Sequence, residues 1–274
     1  SAAVMVGIGS AFLDAAGLAG RAPRGFGPMP SFPGDVPEPG RTGAAVLLQV
    51  EDDSAAAVDR RLGPLLRDLR ALRVAWRTPV SRSPAGTVDG KPLQRNTFGF
   101  DEGHGNPAAE AVLITGDAPG WALGGSLLAL RVIRLAQDLW AADRPEEQRR
   151  VIGRHPDGRW LDGAAAGSPA PFGDDPEGLV TPLDSHVRRM NPRTADEPPP
   201  VMLRRSWSYR GATLAGGHPD EGMVFMAFQA DLAAGFVRAQ QRLTGDALAT
   251  YLLATGGGYF VVPTADGLGA LLTP

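Results

Sequence analysis

The sequence predicts an α+β protein built as two ferredoxin-like (βαββαβ) halves with antiparallel sheets, the first half lacking its first strand and helix. Three observations predict it. Apolar runs of strand length, bounded by Gly or Pro, recur along the whole chain. From residue 116 onward, the runs and the stretches between them fall in the order β-α-β-β-α-β. Before residue 116 the order is only β-β-α-β. The expected division is therefore 1–115 and 116–274.

Each element has a local reason. "AAVMVGIG" (2–9) and "AAVLLQV" (44–50) are apolar strand runs on either side of a Gly/Pro-rich loop at 20–43. Residues 52–72 read as a helix capped by Asp53 or Ser54, with an apolar stripe through Val58, Leu62, Leu65, Leu66 and Leu69. Pro64 predicts a kink or break in it. "RVAWRTP" (73–79) reads as a third strand, and 80–120 as irregular. "GGSLLALRVIRL" (124–135) opens the second half as a strand leading into a helix around 135–152. A long loop at 153–183 precedes a short helix at 184–190. "VMLRRSW" (201–207) and "GMVFMAFQA" (222–230) read as strands, 231–243 and 245–254 as helices, and "GGGYFVVP" (256–263) as the last strand.

Composition removes several functions. A net charge of −3 gives no electrostatic footprint for nucleic acid. No run reaches the ~18 apolar residues of a membrane span. The absence of cysteine removes disulfides, thiolate ligands, Fe–S clusters and a cysteine nucleophile. Lys91 is the only lysine among 27 cationic residues, a bias that fits a GC-rich, bacterial genome.

The four histidines, His104, His155, His186 and His218, show no His-Glu-x-x-His spacing, and no G-x-S-x-G elbow is present. Zincin and serine-hydrolase chemistry are therefore out. His155 and His218 lie in turn-like "RHPDGR" and "GGHPDE". Three ordered stretches remain: "GFDEGHGNP" (99–107), "HVRRMNPR" (186–193) and "MLRRSWSY" (202–209).

Together these resemble the dye-decolorising peroxidases, a family of haem peroxidases with two ferredoxin-like domains. The family carries a G-x-x-D-G loop, then a His followed by basic residues and N-P-R, then an Arg at a strand start. "GGSLLALRVIRL", "VIGRHPDG", "VFMAFQADL" and "GGGYF" resemble further family segments, so the resemblance covers nearly the whole chain. Two departures stand out. Gly99–Gly103 reads G-x-x-E-G, with Glu102 where the family has Asp. The chain also starts where the family's first domain is already at its second strand.

The resemblance implies haem b in the 116–274 half, with the distal-acid loop in the 1–115 half. His186 becomes the iron ligand, and Asp246 the acceptor for its other nitrogen or, alternatively, a helix cap. Glu102 becomes the distal proton shuttle, with Asp101 as its rival, and Arg204 the distal cation. Arg193 and Arg205 are candidates for the haem propionates, or for surface ion pairs. His104 either touches a propionate, assists the acid–base step, or is an exposed loop residue. Arg188 and Arg189 resemble the family's basic pair and receive no role. Trp207 and Tyr209 are the aromatics nearest the site by sequence.

The implied activity is peroxide-dependent, one-electron oxidation of bulky aromatic donors, with an acidic optimum. The alternatives are a haem-binding protein with weak or no peroxidase turnover, and a cofactor-free interaction module on the same fold. The implied partners are hydrogen peroxide and an aromatic reducing substrate, and either a homo-oligomer or an additional N-terminal segment. Location is open between export, after removal of a twin-arginine signal, and the cytoplasm, with export preferred.

Overall fold

The computed structural model describes residues 3–69, 71–88, 91–194 and 196–273. In chain order the strands and helices are β1 (Ala3–Gly9), α1 (Ser10–Ala15), β2 (Val46–Glu51), α2 (Ala55–Asp68), β3 (Val80–Ser81), β4 (Ser83–Val88), β5 (Lys91–Arg95), β6 (Asp101–Glu102), β7 (Ser126–Leu135), α3 (Gln137–Ala142), α4 (Pro145–Ile152), α5 (His186–Met190), β8 (Leu203–Thr213), β9 (Pro219–Gln229), α6 (Arg238–Arg242), β10 (Leu252–Val262) and α7 (Ala265–Leu272). A π-helical turn (Ala233–Val237) leads into α6, and a 3-10 helix (Ala247–Tyr251) leads into β10.

Strands β7 to β10 lie in the sheet order β10-β7-β9-β8, all antiparallel, which is the ferredoxin-like arrangement. The class is α+β, as the element order implies. The earlier strands β1 to β3 join this sheet. β1 and β2 extend the sheet beyond β10, and β3 extends it beyond β8, giving β2-β1-β10-β7-β9-β8-β3. β7 sits at the centre and is buried over most of its length. Alternation sends Leu127 and Ala129 to one face and Leu128, Leu130 and Val132 to the other.

The first face packs against Trp121, Phe236, Leu13 and Leu271. The second gathers Leu47 from β2 and Val80 from β3 around Phe260, Val224 and Met226. Residues from opposite ends of the sheet thus share one cluster, so the sheet curls around it, as strand twist favours.

Several expected elements are redrawn by backbone chemistry. α2 starts at the Ser54 cap, whose hydroxyl accepts from the Ala57 N–H, and it runs on through Pro64. It buries none of its residues, so water can satisfy the carbonyl that Pro64 leaves free. (Ala2 of the expected strand and Arg70 of the expected helix lie outside the described residues.) The expected strand at 73–79 is irregular, and only Val80–Ser81 pair, with Tyr209 and Ser208. The helix expected around 135–152 is split, because Pro145 holds Arg144 extended between α3 and α4. Residues 80–120 are not wholly irregular. They hold the three-stranded sheet β4-β5-β6, which carries Glu102.

Candidate active site

α5 presents His186 at its first position. Gly153 ends α4 in the left-handed region, φ 90°, and a Cβ there would lie 2.5 Å from Val187 Cγ2 and 2.9 Å from Ser185 Oγ. Glycine therefore lets the start of α5 pack against the end of α4. Arg188 is buried and reaches Asp175 at 3.1 Å, the Asp175 and Thr181 carbonyls, and the Phe172 ring. Its role is to pin the 172–181 loop to α5.

His186 Nδ1 lies 2.6 Å from Asp246 Oδ2. The other carboxylate oxygen, Oδ1, accepts from the Leu248 N–H at 2.9 Å. Asp246 is therefore both partner and cap, one oxygen for each. Its side chain is 3% exposed, against 31% for His186. With Nδ1 engaged, Nε2 has no hydrogen-bond partner among the described residues.

The 99–107 loop supplies the second group. Asn106 clips it to the start of β8: its side-chain oxygen accepts from the Arg204 backbone N–H at 3.1 Å and from Nε at 3.3 Å, and its amide donates to the Arg204 carbonyl at 2.9 Å. Arg204 Nη2 donates to the His104 carbonyl at 2.7 Å. Part of Arg204 stays open, yet its head is enclosed enough that burial pushes it below the usual arginine range. Glu102 likewise keeps some open surface while its carboxyl is enclosed. Burial raises the carboxyl above the usual range, against hydrogen bonds from Asn96 and Ser206 and the charges of Arg204 and Arg82.

Asp101, one residue along, alternates away to pair with Arg95 at 2.9 Å. The His104 ring lies against Gly158, with Nε2 buried and unpartnered. Burial, then Arg154, hold that imidazole below its ordinary value and so neutral.

Arg154, which sequence reading passed over, stands over the Trp160 ring at 3.6 Å and donates to the Gly158 and Ala166 carbonyls. Burial, then Arg193 and Arg204, push it down to about 10. Arg193 is the one non-glycine residue with positive φ, 64°, among the described residues, and burial lowers it too. None of Arg154, Arg193 and Arg204 makes an ion pair among the described residues, although each of the other two acts electrostatically on Arg154. The structure does not bring Arg205 to this group. Alternation along β8 turns it to the other face, where it pairs with Glu51 at 2.8 Å and stacks on Trp207. Tyr209 is buried and donates to Asp220.

This arrangement offers an imidazole with one nitrogen unengaged at His186, and sets an enclosed acid, Glu102, beside a cation, Arg204. Comparison with known proteins points the same way. The family model described as "Dyp-type peroxidase, C-terminal" matches residues 93–267. Deferrochelatases from Shigella flexneri and Yersinia pestis are each 34% identical, over 92% and 94% of this chain. The chain spans 62% of the length of those relatives. A DyP-type peroxidase from Cellulomonas bogoriensis superposes with a TM-score of 0.84 at 32% identity, over 96% of this chain and 75% of that one. Ferric DtpA from Streptomyces lividans superposes with a TM-score of 0.88 at 30% identity, over 100% and 78%. Motif, fold and similarity agree, and the chain belongs to the Dyp-type peroxidase family of haem-binding oxidoreductases.

Proposed function

We propose that the chain binds haem b and reduces hydrogen peroxide, drawing electrons singly from bulky aromatic donors. The His186–Asp246 pair carries this reading. A ligating imidazole needs its second nitrogen fixed by an acceptor, and a buried carboxylate at 2.6 Å fixes it while leaving Nε2 free. The cations fit the group as well. Arg154 and Arg193 have no carboxylate partner among the described residues and suit the two haem propionates, whose charge would relieve their mutual repulsion.

When bound, haem supplies the redox-active iron at which peroxide is reduced. The chain supplies the rest. Asp246 orients His186 and makes it more basic. Glu102 accepts a proton from one peroxide oxygen and returns it to the other. Arg204, held by Asn106 and the His104 carbonyl, stabilises the negative charge on the departing oxygen.

Hemin-dependent oxidation of an anthraquinone dye by peroxide tests this. Saturable turnover in the loaded protein, lost without hemin and in Glu102→Gln, is expected. A second reading, a haem-binding protein with weak turnover, is favoured by one observation: Glu102 is longer than the family's Asp and held toward its protonated form. Stable haem binding without dye turnover in the wild-type chain would replace the first reading with this one.

A further inference from the structure

Reduction of one peroxide to two waters takes up two protons as well as two electrons (H2O2 + 2H+ + 2e− → 2H2O). The donor supplies the electrons, and the protons come from bulk water. On the reading above, they pass through Glu102, whose carboxyl is enclosed. Such a group needs a route to solvent.

One small cavity borders Glu102. Its lining includes Ser81, Arg82, Thr97, Ser206 and Ser208, and it has room for about one water. Ser81 and Arg95, which also lines it, are exposed and mark its outer end. Thr97 Oγ1 and Ser208 Oγ are hydrogen-bonded at 2.9 Å. Ser206 and Glu102 both line the cavity, and the Ser206 hydroxyl acts on the Glu102 carboxyl in favour of its ionised form. Ser206 and Ser208 stand two apart on β8 and share a face. The three hydroxyls and the carboxyl thus border one cavity that has room for about one water.

We propose that Thr97, Ser208 and Ser206, with one water bridging the two serines, form the route by which Glu102 exchanges its proton with solvent. The proposal rests on Glu102 being the proton shuttle. Each hydroxyl has one donor and spare acceptor capacity, so it can take a proton on one lone pair and release its own. A proton from bulk enters at Thr97. Thr97 passes its own to Ser208, and Ser208 passes its own to the water. The water gives one to Ser206, and Ser206 gives its own to the Glu102 carboxylate. Every relay group ends with as many protons as it began with. Arg82 and Arg95 line the cavity, and Arg204 acts on Glu102 beside it. These charges repel free hydronium, which favours relay from hydroxyl to hydroxyl over diffusion of the ion.

The test uses the full chain loaded with haem and the variants Thr97→Val, Ser208→Ala, their combination, and Ser208→Thr. The infrared carbonyl stretch of protonated Glu102, identified by its loss in Glu102→Gln, is followed after mixing into D2O. In the double variant, exchange is expected to slow about tenfold or more, while Ser208→Thr keeps the wild-type rate. Peroxide consumption by the double variant should fall most at high pH and recover when imidazolium buffer supplies protons. A purely structural defect would not respond to buffer. Wild-type exchange and an unchanged pH profile in the double variant would overturn the route, with the Glu102→Gln defect still supporting the acid. Wild-type peroxide consumption by Glu102→Gln would remove the acid assignment and the route together.

Discussion

Asp246 uses its two oxygens in different directions, and the two roles can be separated by substitution. Asp246→Asn keeps an acceptor for the Leu248 N–H but offers His186 a neutral partner. Haem affinity or activity should fall by roughly 10- to 100-fold, with the melting temperature nearly unchanged. Asp246→Ala should lose a further ~1 kcal/mol through the missing cap. Hemin titration and thermal melting read the two effects. Glu102→Gln should slow peroxide consumption by ~10²- to 10⁴-fold, whereas Asp101→Asn should not, because Asp101 faces Arg95. Stopped-flow mixing of the loaded proteins with peroxide distinguishes them. At this scale the sequence was readable wherever a motif fixes spacing. His186, Glu102 and Arg204 all stand in such stretches, and Asp246 was named from the family resemblance, as partner or cap. Arg154 and Asn106 act through contacts made only after folding, so no local pattern marked them. Arg205 was a candidate for a propionate or for an ion pair, and the strand turns it away from Arg204 to the ion pair with Glu51.

Among the elements, the junction of α4 and α5 controls how His186 is aimed. Gly153→Ala would force a side chain into the left-handed region and against Val187. It should destabilise the chain by more than ~1 kcal/mol and weaken haem binding, although glycine has no side chain to offer the haem. Denaturant melts with parallel hemin titrations would show both effects, and a variant matching wild type in both would refute the packing argument. Strands with long apolar runs, such as β7 and β10, were legible because their pattern is strong. The sheet carrying Glu102 was not. β6 has two residues, and β4 and β5 contain Pro84, Gly86 and Pro92, which local propensity reads as breakers. Pro145 ended a helix as its chemistry requires, while Pro64 did not, because α2 lies at the surface.

For the whole molecule, the enclosed Glu102 links folding to pH. Its folded-state pKa lies above the ordinary value of 4.5, so the native state holds this proton more tightly than the unfolded chain does. The stability this contributes is complete below about pH 4.5 and is lost as pH rises through the folded-state value. The melting temperature of Glu102→Gln minus that of wild type should therefore grow as pH rises from 4.5. A constant difference would mean that Glu102 is not held protonated. The same shift moves the acid limb of kcat/KM upward, away from the acidic optimum that the family resemblance implies, because Glu102 must be ionised to accept the first proton.

On the proposed function, the fold presents His186 Nε2 to haem iron. The most direct measurement is the visible spectrum of wild type and His186→Ala during hemin titration, followed by one equivalent of peroxide. The account predicts a saturable Soret band in wild type that changes within seconds of peroxide addition, and in His186→Ala a shifted, weakly held band without that change. Identical spectra and affinities in the two proteins would contradict it.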